Sequence, residues 1–244
     1  MKNSLFFMLL VGLCLGAQAF IRRPACNHNL NAGPDRVFNF KAVFQGKMIG
    51  LSQENTENRK SKNEAPKLHM LRFYLSNFVF LKNGAPVFEA KNSYHLLDLE
   101  DESSLELKFK GLGELDFDQV VFNLGIDSLT HVAGVMGGDL DPTKGMFWTW
   151  QSGYVNFKME GEYGKCPTQN HAFQFHLGGW QAPFQSVQSV RLMVPKSEKL
   201  CLQLDLTPFF DQIDWVKKYS IMSPCKEAVA ASKILANSFS VHGE

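Results

Sequence analysis

Apolar and polar positions alternate with period two along most of this chain. Phe38, Phe40, Ala42 and Phe44 alternate with Asn39, Lys41 and Val43, and Leu105, Leu107 and Phe109 with Glu106 and Lys108. Val155, Phe157 and Met159 alternate with Asn156 and Lys158, and Phe173, Phe175 and Leu177 with Gln174 and His176. Val190, Leu192 and Val194, then Leu200, Leu202, Leu204 and Leu206, continue the pattern. Successive side chains of a strand point to opposite faces, so each segment predicts a half-buried strand. Such strands, separated by Gly, Pro and Asn turns, predict an all-β fold, an antiparallel β-sandwich.

Four departures from alternation refine this picture. Leu71, Phe73 and Leu75 hold one phase and Phe78 and Phe80 the other, which predicts a bulge or bend at Ser76-Asn77. The more uniformly apolar segment from Asp118 to Ile126 reads as a central strand. Helix is expected only near the C-terminus. Thr207-Pro208 opens a short helix through Trp215, and Ser223-Pro224 precedes an alanine-rich helix from Glu227 to Asn237. The polar stretch from Ser52 to Pro66 has no apolar period and reads as a loop. No internal repeat or linker divides the chain, so one domain over residues 20–244 is expected.

Composition adds the compartment. Lys2, the apolar run Leu5 to Leu13 and the Ala17-Gln18-Ala19 site form an export signal at residues 1–19, which predicts a periplasmic or secreted protein. No later stretch reaches the roughly 20 apolar residues that would span a membrane. The net charge of +1, with no basic run, argues against nucleic acid as a partner. Hydrophobic residues make up 45% of the chain, ample for a normal core. Removing the signal leaves Cys26, Cys166, Cys201 and Cys225, and an even number in an exported chain predicts two disulfides. Three connectivities are open. Cys26–Cys225, tying the termini, with Cys166–Cys201 is preferred, because alternation turns Cys201 outward, toward the reach of a loop cysteine.

The candidate chemistry lies around two tryptophans. In Gly145-Met-Phe-Trp148-Thr-Trp150-Gln-Ser-Gly153-Tyr154 the two indoles share one strand face between glycines that permit close approach. A buried aromatic corner is the ordinary use of such a segment; a ligand or metal site needs support from histidines. His176 lies on the face opposite Phe173, Phe175 and Leu177 and precedes Gly178-Gly179-Trp180. His131 enters a glycine-containing loop that leads back to the tryptophans. His95 reads as a surface strand residue, and His28 and His242 lie near the termini. No nucleophile elbow, HExxH helix or phosphate-binding glycine loop occurs, so no enzyme activity is expected. Asp139-x-Asp141 lacks the terminal Glu of a calcium loop and reads as a turn.

Several segments together resemble the MbnP-like copper-binding domain family. They are Leu71-Arg-Phe-Tyr-Leu-Ser-Asn77, Tyr94-His-Leu-Leu-Asp98, Phe122-Asn-Leu-Gly-Ile-Asp127, the Gly-Asp-Leu-Asp-Pro loop at 138–142, the tryptophan decapeptide and Phe175-His-Leu-Gly-Gly179. The resemblance implies an exported β-sandwich that binds copper through histidines and a tryptophan oxidised to kynurenine. An indole nitrogen is only a donor, whereas the aromatic amine left by ring opening can coordinate. Matched residue by residue, the metal candidates are His176, Trp148 and Trp150, with His131 at a position where relatives would carry Asn. The expected function is non-catalytic copper capture or handoff. The alternative is a sandwich that binds an organic ligand or an exported partner protein through its tryptophan-rich surface. One further expectation is geometric: the antiparallel neighbours carrying Gly153 and His176 bring Trp148 or Trp150 into one pocket with His176.

Overall fold

The structure, a computed structural model, describes residues 33–52, 65–90, 93–150 and 153–243. The export signal, Cys26, His28 and most of the 52–66 loop lie outside the described residues. The strands in chain order are β1 (Arg36–Phe44), β2 (Lys47–Met48), β3 (Lys67–Lys82), β4 (Ala85–Glu89), β5 (Tyr94–Asp98), β6 (Glu106–Phe109) and β7 (Gln119–Leu124). After helix α1 (Ser128–Ala133) come β8 (Phe147–Trp148), β9 (Gly153–Glu162), β10 (Ala172–Gly178), β11 (Gln188–Met193) and β12 (Leu200–Asp205). Helix α2 (Thr207–Gln212), β13 (Ser220–Ile221), α3 (Lys226–Ala236) and β14 (Phe239–Gly243) complete the order.

Alternation explains how these strands stack. One sheet runs β14-β12-β1-β2, with β6 also on β1; the other runs β11-β7-β3-β9-β10-β13, with β4 and β5 on β3 and β8 on β9. Their inner faces meet ring against ring: Phe40 of β1 packs on Phe73 of β3 at 5.3 Å, and Phe38 on Phe80 at 5.8 Å. Edge-to-face and stacked aromatic pairs at such distances add about 0.5–1.5 kcal/mol each beyond burial. The expected all-β sandwich with short helices is the fold, although helix is not confined to the C-terminus, since α1 lies in mid-chain. Two pairings are parallel, β1 with β12 and β10 with β13. Alternation does not foretell this, because parallel and antiparallel partners leave the same period of two in the sequence.

The phase switch in β3 falls where expected. Asn77 has φ of 56° and the β3–β7 register shifts between Ser76 and Val79. Both Leu71-Phe73-Leu75 and Phe78-Phe80 therefore face the core.

The helix starts differ from expectation. Helix α2 begins after Leu206 with no side-chain cap bond and ends at Gln212, and Trp215 beyond it donates its indole N–H to the Phe210 carbonyl at 2.8 Å. Helix α3 is capped by Cys225, whose sulfur accepts the Ala228 N–H at 3.4 Å, so the thiol takes the role expected of Ser223. The expected Cys166–Cys201 bridge is not formed, and Cys166 is a free thiol. Cys166 sits in the core and donates to the Ala172 carbonyl at 2.9 Å. Cys201 alternates with the core-facing Leu200 and Leu202, so it lies on the opposite face of its sheet from Cys166. The Cys225 thiol is likewise free, and its proposed partner Cys26 lies outside the described residues.

What positions the tryptophan segment is a second, smaller core on the outer face of the nine-stranded sheet. Tyr74, Leu96, Ile126, Leu140, Met146, Trp148, Tyr154 and Val155 pack together there, beneath the chain from 126 to 150. Asn156 anchors it. Leu177 pairs with Phe157 and Gly178 with Val155, so Asn156 is the extra residue of a bulge in β9. Its side chain, buried to 1% exposure, accepts the Ile126 N–H at 2.9 Å and donates to the Ser186 hydroxyl at 2.8 Å. Gly125, at φ of 104°, lies so close that a Cβ there would meet the Asn156 side chain at 2.5 Å.

Two outcomes follow for the fold. Asn156→Ala leaves the buried Ile126 N–H without a partner and takes from the Ser186 hydroxyl the amide that donates to it, and a loss of about 2–4 kcal/mol is expected. Urea denaturation of wild type and variant measures it; a loss below about 1 kcal/mol would show that the anchor is dispensable. Non-reducing peptide mapping should recover Cys166 as a free thiol, and a Cys166–Cys201 peptide would contradict the opposite-face placement.

Candidate functional site

His176 is positioned by strand β10. Phe175 and Leu177 on either side of it face the core, so alternation sends His176 to the outer face, where it is only 8% exposed. Its Nε2 lies 2.6 Å from Oε1 of Glu160, and Lys158, its direct partner across the ladder, brings its ammonium within 3.8 Å of the same oxygen. Burial lowers the imidazole pKa below its ordinary value, against the opposing pull of the Glu160 hydrogen bond. A neutral ring donating Nε2–H to a carboxylate keeps its lone pair on Nδ1. Histidines that ligate metals are commonly held this way by a carboxylate behind them.

The structure brings Trp148 to the same stretch of β10. Its ring lies against Gly178, where a Cβ would come within 2.6 Å of the indole. Gly178 is two residues from His176 and on the same face of the strand. Trp148 is 8% exposed, whereas Trp150, tilted by 40° with its ring 5.4 Å from that of Trp148, is 62% exposed. The register itself differs from the simple hairpin expectation: His176 pairs with Lys158, and only Gly178 reaches the Trp148 segment, through the bulge. The tryptophan–histidine juxtaposition therefore runs through a glycine.

His131 goes elsewhere. Asp127 caps α1 by accepting the Thr130 N–H, and the short helix drives His131 inward to 4% exposure. Its Nδ1 accepts the Tyr154 N–H at 3.1 Å, and its ring stacks on Trp180 at 6.0 Å and 13°. Gly153 is gripped between the two rings, since a Cβ there would lie 3.1 Å from Trp180 and 3.3 Å from His131. The Nδ1 lone pair is thus spent on the backbone, and Nε2 is buried without a well-formed hydrogen bond. Desolvation lowers the His131 pKa to about 4.

Elsewhere, His95 is not the surface residue that the sequence suggested. Its ring is half-buried, edge-on to Phe78 and to Phe109 at 5.6 Å each. It lines a polar cavity of about 550 Å³ with Arg72, Asp98, Asp101, Asp139 and Lys144. Two ion pairs line it, Arg72 with Asp98 at 2.7 Å and Lys144 with Asp139 at 2.8 Å, and Asp101 and Glu106 leave the lining net acidic. Among the described residues, no three of His, Cys, Asp and Glu come together as a ready metal site. Sequence reasoning named Gly178 and Trp180 only as neighbours of His176 and did not pick out Glu160. Glu160 carried a signal in its alternation with Met159, but naming it as the partner of His176 required the β9–β10 register.

Comparison with known proteins gives the relationship. The family model described as MbnP matches residues 34–223, most of the chain. The solved structure of MbnP from Methylosinus trichosporium superposes with a TM-score of 0.50 at 17% identity, covering 85% of this chain and 98% of that one. That likeness concerns the fold. No curated protein matches.

The environment of His131 makes a pH prediction. Its folded pKa of about 4 lies below the ordinary 6.5, so the unfolded chain binds the proton more readily. The stability tied to this site is therefore complete above pH 6.5 and is lost as pH falls toward 4. His131→Asn, which has no titrating group, should give a flatter decline of the urea midpoint across that window. Equal slopes for the two proteins would mean that His131 is not buried as a neutral ring.

Proposed function

Because the chain belongs to the MbnP family, we propose that it is an exported, non-catalytic protein that binds copper, for capture or handoff. One observation carries this reading: the His176 imidazole is held by Glu160 at 2.6 Å beside Gly178, on which Trp148 packs. The carboxylate fixes the ring and leaves Nδ1 as a nitrogen donor, a ligand type that suits copper. The fit is incomplete, since no third His, Cys, Asp or Glu joins the pair among the described residues. Trp148 as an indole offers no lone pair; only its ring-opened product would add a nitrogen. A sphere that the protein fills only in part suits transfer, because the carrier's own ligands complete it on the way in and out. His131 is the weaker ligand in this proposal, its Nδ1 being taken by the Tyr154 amide.

A second reading rests on Trp150. An indole 62% exposed and leaning on another is a stacking platform for an organic ligand or a partner side chain.

Copper titration of the natively exported chain separates the two readings. Saturable binding is expected, weakened at least about tenfold in His176→Ala and less in Glu160→Gln, which keeps the hydrogen bond but loses the charge. Unchanged stoichiometry and affinity in His176→Ala would remove His176 from the site. Tryptophan fluorescence quenched by a sugar or peptide, and not by copper, would favour the platform.

A further inference from the structure

A thiol and an imidazole meet on the outer face of the five-stranded sheet, away from the site described above. Leu200, Leu202 and Leu204 of β12 face the main core, so Cys201 between them points to the other side. In β14, Phe239 is buried in that core and Val241 packs against it, so Ser240 and His242 point the same way as Cys201. The β12–β14 ladder sets Cys201 directly opposite His242, and Gln203 opposite Ser240. Directly opposed residues on one face of an antiparallel pair hold their Cβ atoms about 4.5–5.5 Å apart.

The histidine ring is held for this neighbour. The Ser240 hydroxyl, on the same face of the strand, lies 2.9 Å from Nε2 of His242. That contact fixes the ring by its far nitrogen and leaves Nδ1, the nitrogen nearer the backbone, for the cross-strand side. Histidines that ligate metals are commonly held by their other nitrogen in this manner. Cys201 is 2% exposed and His242 is exposed, so the ring, and not the thiol, meets the solvent. On its other side Cys201 pairs with Asn39 of β1, which brings no charge. His242 also lies beyond residues 34–223, the stretch that the family model matches, so family membership does not account for the pair.

We propose that Cys201 and His242 together bind monovalent copper, Cu(I). Thiolate sulfur selects soft ions such as Cu(I), and imidazole nitrogen suits copper as well. Cu(I) is satisfied by two ligands in line, whereas zinc in a protein site normally takes four. Among the described residues no third His, Cys, Asp or Glu gathers here, which fits the two-ligand ion and not zinc. Metal bonds of roughly 2 Å to sulfur and to nitrogen match the spacing of opposed side chains. On binding, the thiol gives its proton to solvent and the sulfur takes the ion in its place. The copper stays monovalent, so no electron is exchanged. This site belongs to the other sheet from His176 and Glu160 and does not rest on the reading of that pair.

Anaerobic titration of the full chain with Cu(I), in competition with the chelator bicinchoninate, tests it. One equivalent of the ion held against the chelator should disappear in Cys201→Ser. His242→Ala, a change at an exposed position that keeps the fold, should weaken the same equivalent at least about tenfold. His176→Ala and Cys225→Ser should both leave it in place, which separates this site from the first one and from the other thiols. Circular dichroism should match wild type in His242→Ala. A wild-type chain that holds no Cu(I), an affinity unchanged in His242→Ala, or zinc held as tightly as Cu(I) would each overturn the proposal.

Discussion

The arrangement around the tryptophans depends on one side chain, the amide of Asn156. A bulge removes it from the β9 ladder, and the freed side chain binds the backbone of the β7 exit at Ile126 and the hydroxyl of Ser186 in the loop after β10. Three chain segments that are far apart in sequence are thereby fixed to one buried point. The bulge also shortens the pairing by one residue, and this is what lets Gly178 lie opposite Val155 and receive the Trp148 ring. A regular ladder would have carried Trp148 to a different neighbour. The close approach of Gly125 to Asn156, with positive φ, leaves no room for a side chain there.

The two cores have different physical characters. The main core between the sheets is built almost wholly of apolar side chains, with phenylalanines in mutual edge contact, and it needs little beyond alternation to specify it. The outer core mixes Tyr74 and Tyr154 with apolar residues, and each phenol must find a partner. Tyr74 donates to the Asp139 carbonyl at 2.9 Å, and Tyr154 reaches the carbonyls of Gly134 and Leu140. These bonds tie the loop from 134 to 140 down onto the sheet. The segment over the tryptophans is thus held by directional bonds to backbone, which set its position more tightly than apolar contact alone.

Alternation was enough to read most strands, their inward faces, and even the phase switch at Asn77. Period two is a local property, and each of those features is local. The parallel pairings were invisible because strand direction leaves no mark on the period. The cap of α3 was misassigned to Ser223 because a serine before proline is the commoner start, whereas the chain uses the Cys225 thiol three residues before Ala228. At the site, His176 was legible as an outward residue between the inward Phe175 and Leu177. Glu160 was not, since it pairs with Gln174 and meets His176 only on a diagonal of the β9–β10 ladder. The disulfide expectation combined parity with alternation, which turns Cys201 outward as observed, but it took Cys166 for an accessible loop cysteine, whereas Cys166 is buried in the main core.

The histidines His131 and His176 look alike in sequence, each near glycines and a tryptophan, and the structure separates them by the direction of one hydrogen bond. His131 accepts at Nδ1 from a backbone amide, so its lone pair is consumed in holding Tyr154 and its ring is fixed as part of the wall. His176 meets a carboxylate, an acceptor, so it must donate at Nε2 and its lone pair stays on the other nitrogen. Burial depresses the pKa of both, yet with opposite consequences: in His131 it protects a structural acceptor from protonation, and in His176 it keeps a donor atom unprotonated at neutral pH. Coordination requires an unprotonated nitrogen with an unspent lone pair. Of these two rings, only that of His176 combines both properties, which is why the weight of the copper proposal rests on it.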